Sequence, residues 1–373
     1  MPLDYRRLPR YGEFPAVIEQ GCLAGSKSAA TKIRRFCTGG GQVADEPRCR
    51  MESCRGSNLW PPSARYNLHD LTLTGAEHRC RADSVGGWRK LLATIEIPRD
   101  LSAVLDDAWK AARDVPGFLV EDEARFLGLA AACAPCPGAI VEIGSFKGKS
   151  TVMLARVAAH YGLGPVVAID PHNFNSAELK EHRAVPGATS FQEFQSNLEA
   201  AGVAQQVEVH RAYSSELAAA WKRPIRFLWI DGDHSYQGAK SDFDGFFPYV
   251  EPEGLVAFHD ALHLFSGPIR VFVEDVLRSN RFGASGFVKS IAWAQFRPED
   301  GVLFEEQRAA VERAASRLIP FVQDDRELHE LEKIRYKLNR SRVPRAAVQP
   351  DEWAALLNRS QHQARQSPSS SVR

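Results

Sequence analysis

Between Ala139 and Phe296, short apolar runs alternate with segments of helical period, and no other feature constrains the chain as strongly. The runs are AIVEIG (139–144), PVVAID (165–170), QVEVHRA (206–212), IRFLWID (225–231), GLVAFHD (254–260) and a last strand segment, GFVKSIAWAQF (286–296). Between them lie GKSTVMLARVAAHYG (148–162), SFQEFQSNLEAAG (190–202), a short helix near 215–222, YQGAKSDFDGFFPYV (236–250) and PIRVFVEDVLRS (268–279). Strands that are apolar throughout are expected where helices cover both sheet faces. Helical crossovers between such strands are right-handed and impose parallel neighbours. The expected fold is therefore α/β: a doubly wound, mostly parallel, seven-stranded Rossmann-like sheet.

Two helices precede the sheet. Residues 100–113 place Leu101, Val104, Leu105 and Trp109 on one face, and 120–134 carry Glu121, Asp122 and Glu123 in the first turn, where acids suit the helix dipole. After Gly301, helices are expected over 303–319 and 324–340. The second is dense in charge, which fits a solvated helix or a dimer element and leaves a homo-oligomer open. The flanks differ. Residues 1–92 show no sustained period and are interrupted by Gly39-Gly40-Gly41 and Pro61-Pro62, and 341–373 end in QSPSSSVR. Both read as disordered tails. The predicted organisation is a basic extension (1–92), a catalytic domain (93–300, with a helical lead-in over 100–134), C-terminal helices (301–340) and a tail (341–373).

Charge separates the same regions. The 373 residues carry 47 Lys and Arg against 46 acids, a net charge of +1, which excludes a strongly basic nucleic-acid binder. Residues 1–90 have a net charge of +6, residues 91–340 of −8 and the remainder of +3. Five of the seven cysteines (Cys22, Cys37, Cys49, Cys54, Cys80) lie in the basic part. Cys49 and Cys54 lack a second well-spaced pair for zinc, and Cys133-Ala-Pro-Cys136 lacks a thioredoxin-like context. The longest uncharged apolar stretch is broken by prolines and is shorter than the ~20 residues of a spanning helix. The N-terminus has no apolar signal core. The expectation is a cytoplasmic protein with reduced thiols, no membrane partner and no nucleic-acid partner.

The first strand runs into Val141-Glu142-Ile143-Gly144-Ser145-Phe146-Lys147-Gly148-Lys149-Ser150-Thr151. A phosphate-binding P-loop needs four residues between its first glycine and the Gly-Lys pair, and only three separate Gly144 from Gly148. Phe146 occupies the place of the second glycine of a dinucleotide fingerprint. What remains is an acid, a Gly-x-x-x-Gly turn and a helix. Glu142 favours a ligand that presents positive charge, and Asp170 ends the second strand where a ribose diol is read. That pair suits S-adenosylmethionine better than a polyphosphate.

A second constellation stands at the ends of the fourth and fifth strands: Asp231-Gly232-Asp233-His234, and His259-Asp260. In open α/β sheets these ends converge beside the loop after the first strand. Carboxylates and imidazoles gathered there are costly unless they bind a cation or titrate. Asp231 and Asp260, with His259 or Asp233, fit a divalent metal such as Mg2+. His234 fits a proton acceptor, and helix capping by Asp233 and His234 is the plainer alternative.

The pieces VEIGSFKGKST, VVAIDPH, FLWIDGDHSYQGAKSDF and GLVAFHDA resemble the class I S-adenosylmethionine-dependent methyltransferases. Within them they are similar to the branch of macrocin-type O-methyltransferases and cephalosporin-hydroxylase-like proteins, over roughly 118–296. The resemblance implies that Glu142, Gly144, Ser145 and Gly148 hold the methionine part of the cofactor. It places Asp170 on the ribose and Tyr213 and Ser214 near the adenine. In metal-using members of the family, Asp231 and Asp260 would match magnesium ligands and His234 the base. His259 stands where some relatives have a carboxylate, which leaves the metal open. The implied function is methyl transfer to a small-molecule hydroxyl, of a sugar or secondary metabolite, with catalytic His234 and Asp231. A non-catalytic cofactor-binding protein and a P-loop-like nucleotide binder are the alternatives. The acceptor would be shaped by the helices before Gly138, the loop 172–189 as a lid or plain surface loop, and the region after Ala261.

Overall fold

The computed structural model describes residues 94–173, 189–323, 328–345 and 347–358. The expectations for 1–92, for the first five cysteines, for most of the 172–189 loop and for 359–373 lie outside the described residues.

The chain begins with α1 (Leu101–Ala112) and α2 (Glu121–Cys133). It continues through β1 (Ala139–Ile143), α3 (Lys149–Tyr161), β2 (Val166–Ile169), α4 (Ser190–Ala200), β3 (Val207–His210), α5 (Ser214–Ala218), β4 (Ile225–Ile230), α6 (Tyr236–Phe246) and β5 (Val250–Phe258). Next is α7 (Gly267–Val271), which runs into a π-helical stretch at Phe272–Leu277, then β6 (Phe282–Val288), β7 (Ile291–Phe296), α8 (Glu305–Ala315), α9 (Glu330–Arg340) and α10 (Pro350–Leu357).

The seven strands form one sheet in the order β3-β2-β1-β4-β5-β7-β6. β1 to β5 pair in parallel with one another, and β7 runs antiparallel to both β5 and β6. This is the expected doubly wound, mostly parallel sheet. The expected single segment 286–296 is instead a hairpin, β6 and β7, turning at Lys289-Ser290. Lys289 takes a positive φ of 51° there without the glycine or asparagine that would mark a turn in sequence.

Side chains alternate across the strands although the runs are apolar throughout. Ile140, Val166, Ala168, Phe227, Trp229, Leu255 and Ala257 point into one core with α1 to α4. Val141, Ile143, Val167, Ile169, Leu228, Ile230, Val256 and Phe258 point into the other with α6, α7 and the C-terminal helices. Burying each large apolar side chain contributes about 1.5–3 kcal/mol, so both helical layers are held by the sheet rather than by helix propensity. The face of α1 is buried at Leu101, Val104, Leu105 and Ala108, while Trp109 lies at its margin.

One boundary moves. The stretch 341–373 reads as a tail, yet α10 lies within it and buries Trp353, Ala354 and Leu357. The Trp353 ring lies 6.0 Å from that of Trp293. The Asn358 side chain accepts from Ile95 N and donates to Ile95 O, both at 3.0 Å. Eight residues are too few to show a clear helical period, so composition alone drew the boundary early.

Candidate functional site

Backbone ladders extend one residue beyond the strands and set the site side by side. Gly144 N donates to Ile169 O at 2.9 Å, Asp231 N to Ile143 O at 2.8 Å, and His259 N to Ile230 O at 3.0 Å. Asp170 N donates to His210 O at 3.1 Å. The sheet order reverses between β1 and β4, and ligands of open α/β sheets sit at that switch point.

The loop after β1 is built for close approach. Gly144 has φ 87°, and a Cβ there would stand 2.2 Å from Asp231 O. Gly148 has φ 90° and caps α3, its N–H donating to Ser145 O at 2.8 Å. Phe146 between them holds a positive φ of 46°. Its N–H donates to Asp170 Oδ2 at 2.8 Å, and His172 N donates to Asp170 Oδ1 at 2.7 Å. Asp170 thus joins the β1 and β2 loops, each oxygen keeping one lone pair.

Glu142 is fully buried under α3, where Thr151 Oγ1 donates to its Oε2 at 2.5 Å. Burial pushes its carboxyl up to about 8, against the Ser150 and Thr151 hydroxyls that pull it down and with Asp231 and Asp170 adding to the rise. Among the described residues, its Oε1 and the buried Ser145 Oγ have no hydrogen-bond partner. Buried polar atoms left unpaired cost free energy, so both atoms are open to a further hydrogen bond. Lys147 is buried in an ion pair with Glu193 of α4 at 3.0 Å, and Lys149 turns to the Trp109 ring, 5.5 Å from its centroid. Neither lysine addresses the loop as a P-loop lysine would.

The second constellation also converges. His259 Nδ1 lies 3.0 Å from Asp231 Oδ1, and His234 Nε2 lies 3.5 Å from Asp231 Oδ1 and 3.7 Å from Asp260 Oδ2. His263 Nδ1 reaches Asp260 Oδ1 at 2.8 Å. Asp260 takes a strained φ of 53°. The His234 ring stacks on Phe265, with centroids 4.6 Å apart. Burial alone would lower both His234 and His259. The Asp231 and Asp260 carboxylates outweigh it, holding His234 above its ordinary value and His259 well above it. Burial would raise Asp260, but His259, His263 and His234 hold it well below the usual carboxylate range. Capping falls to Ser235, whose Oγ accepts from Gly238 N at 3.0 Å and donates to Asp233 Oδ2 at 3.0 Å. Asp233 therefore belongs to the helix start and not to the cluster.

Residues 141–261 match the family model described as a methyltransferase domain. That span runs from β1 to just past β5 and holds Glu142, the glycine turn, Asp231, His259 and Asp260. Solved structures similar to it include the O-methyltransferase from Bacillus cereus in complex with SAH, at 20% identity over 54% of this chain and 93% of that one, with a TM-score of 0.37. Another is the O-methyltransferase TomG from Streptomyces achromogenes in complex with SAM, at 18% identity, 54% and 92% coverage and a TM-score of 0.38. A third is the O-methyltransferase NovP, at 12% identity, 53% and 98% coverage and a TM-score of 0.42.

At this strand edge the donor chemistry does not suit the divalent metal that Asp231, His259 and Asp260 leave open in the sequence. A metal needs neutral imidazole lone pairs. The His259 nitrogens face Asp231 and Glu123 as a charged imidazolium would, and Asp260 is taken by His263. Among the described residues, no group of three or more His, Cys, Asp or Glu is placed to hold a metal ion.

Tyr213 and Ser214 follow β3 as expected, but Ser214 Oγ donates to Asp242 of α6, and the exposed Tyr213 hydroxyl accepts from Asn173 at 3.1 Å. Burial pushes Asp242 up to about 6. Cys133 and Cys136 are likewise pushed up by burial, to about 11 and about 12, which keeps both thiols protonated and removes the redox reading.

Sequence reasoning missed Glu123. It reads as a dipole-stabilising acid of a first turn, yet it is 3% exposed. Its Oε1 accepts from Ser290 N at 3.0 Å and Ser290 Oγ at 2.6 Å, and its Oε2 faces His259 Nε2 at 3.5 Å. Burial would raise it, and the partners His259 and Ser290 bring it below its ordinary value. No helix of the described residues is long and apolar enough to cross a membrane.

Proposed function

We propose that this chain transfers a methyl group from S-adenosylmethionine to a hydroxyl of a small-molecule acceptor. One observation carries this reading: a glycine turn with unpaired buried acceptors, Glu142 Oε1 and Ser145 Oγ, packs directly on the strand end that bears the acid–imidazole cluster. The cofactor supplies, when bound, a methyl group activated by its sulfonium.

The chain's own residues do the rest. Glu142, with Gly144, Ser145 and Gly148, receives the positively charged end of the cofactor, and the remaining lone pairs of Asp170 take the ribose. Tyr213 lies on the adenine side, with Ser214 behind it. Because His234 Nε2 faces the two carboxylates, Nδ1 is the nitrogen that takes the acceptor's proton. Asp231 and Asp260 then stabilise the imidazolium that forms, and Asp231 fixes the ring orientation. His259 carries the fixed positive charge at this edge. Phe265 stacks on the His234 ring and covers one of its faces.

The experiment that tests this is incubation with methyl-labelled S-adenosylmethionine and pooled small metabolites, with and without EDTA. Label transfer that survives EDTA is expected. Cofactor binding without transfer to any hydroxyl-bearing metabolite would overturn the assignment.

A further inference from the structure

Among the described residues, helix α9 is anchored through Tyr336. Tyr336 is buried, its hydroxyl donates to His263 O at 2.6 Å, and its ring lies 6.0 Å from that of Phe321. At 100° per residue, the direction opposite Tyr336 is occupied by Leu331, Ile334 and Leu338. These three are 72%, 60% and 53% exposed. They fall at i, i+3 and i+7, the spacing of a helix–helix seam rather than of scattered surface residues.

The charges beside the stripe complement one another. Glu330 and Lys337 border one edge and Arg335 the other. In heptad terms Leu331 and Leu338 stand at a and Ile334 at d, with Glu330 and Lys337 at g and Arg335 at e. Two copies of the helix side by side therefore bring Glu330 of each onto a cation of the other: Arg335 if the helices run parallel, Lys337 if they run antiparallel. A helix whose edges complement its own sequence fits a second copy of itself, as an isologous contact requires.

We propose that the α9 stripe Leu331–Ile334–Leu338 is the seam through which two copies of this chain associate. Three side chains cover less than the ~800 Å² per partner of a standard interface, so the dissociation constant is expected on the order of micromolar.

The test is sedimentation of the full chain from about 1 to about 100 µM. Wild type is expected to pass from monomer to dimer across that range, and Ile334→Glu with Leu338→Glu to stay monomeric with an unchanged melting temperature. Glu330→Lys is expected to weaken the dimer at least about tenfold, the scale of one interfacial charge pair. Adding Arg335→Glu or Lys337→Glu to it should restore association and report the orientation. A wild type that stays monomeric throughout overturns the proposal, as does protection of the stripe from hydrogen exchange in that monomer, which would assign it to another segment of the chain. Failure of both second-site reversals to restore the dimer overturns it as well.

Discussion

Glu123 of α2 and His259 at the end of β5 lie 3.5 Å apart, Oε2 to Nε2, in an almost solvent-free setting. The other nitrogen of the same imidazole holds Asp231 at 3.0 Å. A helix outside the strand-and-loop motifs therefore decides the charge and orientation of a group beside the proposed base.

Glu123→Gln keeps the shape and removes the charge. A hydrogen bond to a charged group is worth about 1.5–3 kcal/mol, so kcat is expected to fall at least ~10-fold. Cofactor affinity should stay within about twofold, because Glu123 does not touch the glycine loop. Steady-state kinetics and calorimetry together check this; a kcat equal to wild type would sink the role.

His234 must be neutral to take a proton. Its carboxylate neighbours hold it above the usual 6.5, so kcat should rise with pH along a limb displaced above that value. His234→Gln is expected to cost about 10²–10⁴ in kcat and to abolish that limb. The pH–rate profile decides: a limb that persists in the variant belongs to another group.

Glu142 offers a readout independent of turnover. With its carboxyl at about 8, it is mostly protonated at neutral pH in the free protein. The folded state then binds more protons than the unfolded one between the ordinary 4.5 and about 8, so this group's contribution to stability falls as pH rises through that window. A cationic ligand beside Oε1 favours the ionised form, so cofactor binding at neutral pH should release a proton. Calorimetry in two buffers of different ionisation enthalpy measures that release, and Glu142→Gln should remove it. Tight binding by the wild type with no proton release contradicts the assignment.

The sheet was legible because its strands are short apolar runs closed by Gly144, Asp170, Asp231 and Asp260, residue types that end strands. Gly144 was legible for the same reason, since a turn that tight excludes a side chain. Glu123 was not, because its partners depend on how α2 crosses the sheet, and no local period encodes that crossing. Nor was the turn that places Ser290 on Glu123, because Lys289 adopts its positive φ under tertiary packing. The pairing of the imidazoles was hidden too: spacing puts Asp231, His259 and Asp260 at one edge but does not say whether they face a cation or each other.

The C-terminal helix gives the last prediction. Trp353 is 1% exposed and packs on Trp293, which itself packs on Phe126 of α2 at 5.8 Å. The buried Arg297 donates to Leu357 O at 3.3 Å, and Asn358 closes on Ile95. These contacts join α10 to β7 and to the segment leading into α1, the same layer that carries Glu123. Trp353→Ala should therefore cost about 3–5 kcal/mol of stability, the usual range for emptying a large aromatic site. Because α2 rests on the same aromatic stack, the loss should reach the site as well: kcat should fall in the folded variant while proton release on cofactor binding persists. Denaturant unfolding and kinetics below the transition separate the two effects, and a Trp353→Ala protein as stable as wild type would return residues 341–358 to the status of a tail.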